Sequence, residues 1–166
     1  MILKKINNNI LFLFLFSHLL IWTLIPSLIN TNLPLDTIEA LAWSSKFEWG
    51  YYKHPPISAF IVGAVYFTLG SNDWAYYLLS QLCVIISFFY VWKLSNQFFK
   101  GNLFPLLSVL ILESIIFFNY TTPEFNVYVC QLPFKALTVY FFWNSVTKNK
   151  IRDWLLTGLF SALGVL

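Results

Sequence analysis

Residues 10–29 form an almost unbroken apolar run of about 20 residues, the length needed to cross a hydrocarbon core of roughly 30 Å. That run limits the fold more than any other feature. In lipid every backbone polar group must be satisfied internally, so a chain with several such runs becomes a set of helices. Further apolar runs occupy residues 74–92, 103–119 and 126–146, and a fifth covers 154–166. The expectation is an all-α, polytopic protein with four spans and a truncated fifth, its 166 residues forming a single integral-membrane domain. A cleaved signal peptide is the rival reading of 10–29. Such peptides have apolar cores of about 7–15 residues and a small-x-small cleavage site; here the run is longer and ends in SLINTN, which favours an uncleaved anchor.

Composition agrees. Only 10% of residues are charged and 58% are hydrophobic, against about 25% charged in soluble domains. The net charge of +3 is scattered, which excludes the concentrated basic face that nucleic-acid binding requires. Cys83 and Cys130 lie inside apolar runs and read as packing residues; no metal-binding cysteine pair is present. His18 in the first span reads as a hydrogen-bonded packing residue, against the rule that ionisable groups within a membrane are functional.

The longest interruption is DTIEALAWSSKFEWGYYKHPP, residues 36–56. It holds Asp36, Glu39, Glu48, Lys46, Lys53 and His54, with Trp43, Trp49, Tyr51 and Tyr52, aromatic types that settle at a membrane–water boundary. Residues 36–45 have helical spacing and predict a short helix lying on the interface. Pro55 and Pro56 suit the start of another helix. That second apolar helix, 57–69, has only thirteen residues, too few to span, and reads as interfacial or re-entrant. Gly70 ends it.

Charge sets the orientation. With the N-terminus in the cytoplasm, Lys4, Lys5, Lys93, Lys100, Lys148, Lys150 and Arg152 fall inside, and Asp36, Glu39, Glu48, Asp73 and Glu124 fall outside. Counting 57–69 as a full span would place Lys93 and Lys100 outside, so the charges support the re-entrant reading. Glu113 and Lys135 are each eleven residues from Glu124, which predicts a pair between the third and fourth spans.

Two carboxylates, Asp36 and Glu124, thus meet one face of the membrane beside a Lys-His pair. An attacking hydroxyl must lose a proton, which a carboxylate accepts. A phosphate leaving group needs positive charge or a metal ion rather than a general acid. Asp36 suits the base, Lys53 and His54 the phosphate, and Tyr51 and Tyr52 a sugar or lipid. The same residues have structural readings. Asp36-x-x-Glu39 is also a capping box, Lys53 and His54 also reach headgroups, and Glu124 also favours the N-terminus of a following helix.

Leu35-Asp36-x-x-Glu39, then Trp49-Gly50-Tyr51-Tyr52-Lys53-His54-Pro55-Pro56, then Thr122-Pro123-Glu124, resembles the lipid-linked sugar transferases of the GT-C class. The nearest are the dolichyl-phosphate-mannose protein mannosyltransferases and the bacterial aminoarabinose transferases. The resemblance covers roughly residues 10–166. It implies two juxtamembrane helices in the first outer loop, an inverting glycosyltransferase using a polyprenyl-phosphate sugar, and the first-loop acid as base, here Asp36. Catalytic roles fall on Asp36 and Glu124, and substrate binding on Glu39, Lys53, His54, Tyr51 and Tyr52; a divalent metal ion is an open cofactor. The acceptor is a hydroxyl on a lipid, glycan or protein. The implied setting is the bacterial inner (plasma) membrane, among membrane lipids, with the site on its outer face.

The sequence departs from that pattern in two places. Thr37 and Ile38 separate acids that are often adjacent in the family, and Lys53 stands where an acid is common. The fifth run stops after thirteen residues, so the chain reads as a fragment or part of a split gene, completed by a downstream polypeptide. Two other readings fit the composition. One is a non-catalytic remnant or membrane partner with the same fold. The other is a flippase, against which the charges cluster at one surface rather than at mid-membrane.

Overall fold

The computed structural model describes residues 9–166; Lys4 and Lys5, with their expected cytoplasmic placement, lie outside the described residues. Among the described residues the chain is all-helical: α1 (Asn9–Ile29), α2 (Leu35–Ser44), α3 (Ile57–Leu69), α4 (Asp73–Phe98), α5 (Leu103–Glu113), a 3-10 turn (Ile116–Phe118), α6 (Val127–Lys148) and α7 (Ile151–Val165). Two of these, α1 and α4, are long and apolar enough to cross a membrane.

Helix directions follow from side-chain contacts. Phe12 meets Phe89, and Asn30 donates to the Tyr77 hydroxyl, so α1 and α4 are antiparallel. Ser95 bonds Ser108, and Phe99 meets Phe104, so α5 runs back along α4. Tyr90 meets Tyr140, and Gln97 donates to Asn144, so α6 runs parallel to α4. Phe142 packs on Trp154 and Phe141 on Phe160, so α7 returns along α6. Helix α4 is the centre, with α1, α5 and α6 each packed against it. Asp36, Asp73 and Glu124 sit at one end of this bundle, and Lys93, Lys100, Lys148, Lys150 and Arg152 at the other.

Polar side chains share the bundle interior with its apolar core, and α1 turns an apolar face outward. His18, Ser80, Gln81, Thr122 and Asn144 are buried, whereas Phe12, Leu13, Phe16, Leu24 and Ile25 of α1 are exposed. In water so long an exposed apolar face would be costly. Lipid selects this arrangement, because polar side chains find partners only in the interior. Lys93 follows the same logic at the basic end, its ammonium 5.2–5.4 Å from the ring centres of Phe89, Tyr90 and Tyr140.

The expected third span is interrupted. Helix α5 ends at Glu113, Ile115 is extended, and the 3-10 turn follows. At about 1.5 Å per residue, α5 is only about 16 Å long. The break has local causes. The Ser114 hydroxyl donates to the Ile111 carbonyl, and the Asn119 amide donates to the Glu113 carbonyl, both in place of helical donors. At the far end of α6, Asn149 takes a left-handed φ of 49° and closes the helix.

Helices α2 and α3 pack together across the ends of α4 and α6. Ala40, Val62, Tyr76, Phe125 and Val129 form their shared core. Gly63 is the close approach: a Cβ there would sit 3.1 Å from the Ser44 Cβ. Gly63→Leu therefore separates α2 from α3 and costs about 1–3 kcal/mol of stability. Gly158→Leu, where a Cβ meets nothing within 4 Å, does not destabilise. Unfolding of the two variants in detergent checks the contrast.

Candidate active site

Helix α2 has no side-chain cap of its own. Its cap position is Pro34, and Asp36 is already the second helical residue, so the expected Asp36-x-x-Glu39 capping box does not form. The first-turn donor is satisfied from a distant part of the chain: the Asp36 N–H donates to Glu124 Oε1 at 3.2 Å. Beside it the buried Thr37 hydroxyl donates to the Phe125 carbonyl at 3.1 Å. Glu124 thus caps α2. The helix after it, α6, is capped instead by Asn126, whose side chain accepts from the Val129 N–H at 3.0 Å.

These bonds bring the two expected catalytic acids together from sequence positions 88 apart. The Asp36 carboxylate itself is exposed, and among the described residues it makes no hydrogen bond or ion pair. It lines a narrow crevice with Glu39, Ala40, Trp43, His54, Ser58, Asn126 and Val127. The space inside is about 10 Å³, room for roughly one water, so a substrate lies over the crevice rather than within it.

Lys53 ion-pairs with Glu39, its Nζ 2.9 Å and 3.1 Å from the two carboxylate oxygens. His54 packs edge-on against Trp43, which stacks on Tyr51 at 5.4 Å. Tyr51 donates its hydroxyl to the Lys46 carbonyl and its N–H to the His54 carbonyl, which fixes the turn before the two prolines. Tyr51 and Tyr52 do not line the Asp36 crevice. They border a neighbouring hollow with Trp43, Lys46 and Glu48, and Tyr52 is 99% exposed.

Ser58 escaped the sequence reading. Its hydroxyl is buried in the crevice wall and, among the described residues, has no hydrogen-bond partner. One serine in the first turn of an apolar helix carries no signal in sequence; only its burial beside Asp36, Glu39 and His54 reveals it.

Behind the acids lies a buried polar chain. The expected Glu113–Lys135 pair is absent. Lys135 is exposed, and Glu113 Oε2 lies 2.8 Å from His18 Nδ1. That contact is close but misaligned for a hydrogen bond. His18 Nε2 meets Gln81 Oε1 at 3.0 Å, and the Gln81 amide reaches the Thr122 hydroxyl at 3.4 Å. Ser80 also bonds the Thr122 carbonyl. His18, read as a packing residue, thus helps to support the turn that carries Glu124.

The sequence pattern of the dolichyl-phosphate-mannose-protein mannosyltransferases matches residues 53–166, which includes Lys53, His54 and the Thr122-Pro123-Glu124 turn. The chain belongs to that family. It is thereby a membrane glycosyltransferase of the GT-C type, a class whose donors are lipid-linked sugars. No curated protein and no solved structure matches the chain. Helices α1 and α2, with Asp36 and Glu39, precede the matched region, so their link to the family rests on their docking against it, α1 along α4 and α2 through Glu124 and Phe125. Among the described residues no group of three or more His, Cys, Asp or Glu side chains is arranged to hold a metal ion.

Proposed function

We propose that the chain transfers a sugar from a polyprenyl-phosphate carrier to a hydroxyl acceptor with inversion, at the outer face of a bacterial plasma membrane. The observation that carries this reading is the docking of α2 on the family's Thr122-Pro123-Glu124 turn, which leaves the Asp36 carboxylate unpaired at the mouth of the crevice. Residues 1–166 act in this reading as one membrane domain. The N-terminus is cytoplasmic, α1, α4, α6 and the α5 segment cross, a fifth crossing begins in α7, and α2 and α3 lie at the outer surface. The segregation of Lys93, Lys100, Lys148, Lys150 and Arg152 to one end of the bundle supports that orientation.

The chemistry is a single displacement. The Asp36 carboxylate takes the proton of the acceptor hydroxyl as its oxygen attacks the anomeric carbon. The bond from that carbon to the phosphate oxygen breaks, and its electron pair leaves with polyprenyl phosphate. Attack from the side opposite the leaving group inverts the centre. Lys53 and His54 receive the phosphate; Lys53 exchanges part of its pairing with Glu39 for the new anion. Glu124 holds the end of α2, and so the Asp36 backbone, in place. Tyr51 and Tyr52 face the sugar or the lipid surface from the adjoining hollow.

The test is turnover of tritiated mannosyl polyprenyl phosphate by the purified chain in vesicles with hydroxyl-bearing lipids. Label should leave the donor, free polyprenyl phosphate should accumulate, and the product linkage should be inverted. A donor that binds but stays intact ends this reading.

A further inference from the structure

A second hollow opens on the other side of the Asp36–Glu124 contact. It has a volume of about 480 Å³, inside the range of roughly 300–1,000 Å³ that small-molecule sites occupy. The flank of α1, with Trp22, Ile25, Pro26 and Ile29, lines it together with Asn30 and Glu124. The wall is aliphatic and aromatic, and it continues into the exposed apolar surface of α1. Glu124 presents one oxygen to the Asp36 N–H and belongs to the hollow, while Asp36 belongs to the crevice. The two spaces therefore meet at one hydrogen bond.

A transferase needs two substrates to converge on one point, and the charges of the two spaces differ. The crevice side carries Lys53 and His54. The α1 hollow is lined by no cation, and its one charged group is the Glu124 carboxylate. A phosphate would face that carboxylate without compensation. A neutral hydroxyl has a use for it, as a donor to a charged acceptor.

We infer that the hollow between α1 and the Thr122-Pro123-Glu124 turn seats the acceptor, and that the acceptor is a membrane lipid with an uncharged hydroxyl headgroup. Its chain lies along Trp22, Ile25 and Ile29, and its hydroxyl reaches the carboxylates from the side opposite the donor phosphate. This rests on the transferase reading and narrows it, since a protein hydroxyl would have no need of an apolar trough open to the bilayer.

Photo-crosslinking tests the site without requiring turnover. The full chain carries p-benzoylphenylalanine in place of Ile25, which lines the hollow, or of Leu24, its exposed neighbour at the same depth outside the lining. The vesicles are phosphatidylcholine with tritiated dioleoylglycerol or tritiated polyprenyl phosphate as probe. Dioleoylglycerol should label the Ile25 position about fivefold more than the Leu24 position, and more than polyprenyl phosphate does. Glu124→Gln keeps an oxygen for the Asp36 N–H but removes the charge, and should erase the discrimination against polyprenyl phosphate. Equal labelling at Ile25 and Leu24, preference for polyprenyl phosphate at Ile25, or crosslinks to a second copy or another protein would each overturn the assignment. A chain that fails to turn over donor yet labels selectively at Ile25 separates failure of the transferase reading from failure of this site.

Discussion

Asp36→Asn lowers sugar transfer by about 10²–10⁴-fold, the range a positioned general base contributes, and leaves the unfolding midpoint unchanged. The second half of that result follows from how the fold uses the residue. The structure takes the Asp36 backbone N–H, which the substitution leaves in place, and asks nothing of the carboxylate. Asparagine has the same size, and at this exposed position the charge lost from the first turn of α2 is screened by solvent and salt. Glu124 divides differently. Glu124→Gln retains an acceptor for the Asp36 N–H, while Glu124→Ala removes it and costs about 1 kcal/mol, as the loss of a helix cap does. If Glu124 acts through position alone, the glutamine variant transfers sugar nearly as well as wild type and the alanine variant does not. If its charge takes part in the reaction, both lose activity and only alanine loses stability. The assay is initial rate with the labelled donor, read beside thermal unfolding in the same detergent. Equal rates for wild type and Asp36→Asn remove Asp36 from the base role.

The sequence announced the helices because the physics that forms them is local. An apolar run of given length must satisfy its own backbone, so α1 and α6 begin and end close to the limits of their apolar runs, whereas α4 continues to Phe98, six residues past the 74–92 run. Pro55-Pro56 and Gly70 bracket α3 at the expected positions for the same reason. Contacts between helices were harder to read. Matching Glu113 to Lys135 by depth assumed that α5 and α6 are neighbours because one turn joins them. In the bundle α4 lies at the centre with both helices packed on it, and Lys135 is left exposed. The capping box failed similarly. Asp36 and Glu39 have the right spacing, but the cap of α2 falls two residues earlier, at Pro34, and the partner for its first turn comes from a distant segment. The site acids could be named in sequence because charge is conspicuous in an oily chain. Ser58 could not, since what distinguishes it is an unpartnered hydroxyl in a buried wall.

Glu113→Ala destabilises the chain by about 1–3 kcal/mol, the cost of leaving a buried polar group short of a partner, whereas Lys135→Ala changes stability by no more than about 0.5 kcal/mol. His18 is 3% exposed and packed against Phe88, with Glu113 on one ring nitrogen and Gln81 on the other. Removing the carboxylate strands a polar ring among aromatic side chains, where neither water nor lipid can satisfy it. Its removal also loosens Gln81, and through Gln81 the Thr122 turn that carries Glu124, so damage in the middle of the bundle should reach the α2 cap. The pair itself need not be stabilising. Buried polar pairs often gain little over well-packed apolar residues, and most of the penalty comes from leaving one partner alone. A double variant, His18→Leu with Glu113→Leu, should therefore recover much of what Glu113→Ala loses while leaving Gln81 free to turn. Unfolding of the three variants in detergent, with hydrogen exchange across residues 119–126, separates the two effects. Stability should return in the double variant, but protection of the turn should not. Full protection there would mean that Ser80 holds Thr122 without help from the His18 chain, and equal stability of wild type and Glu113→Ala would show that the buried contact contributes nothing to the fold.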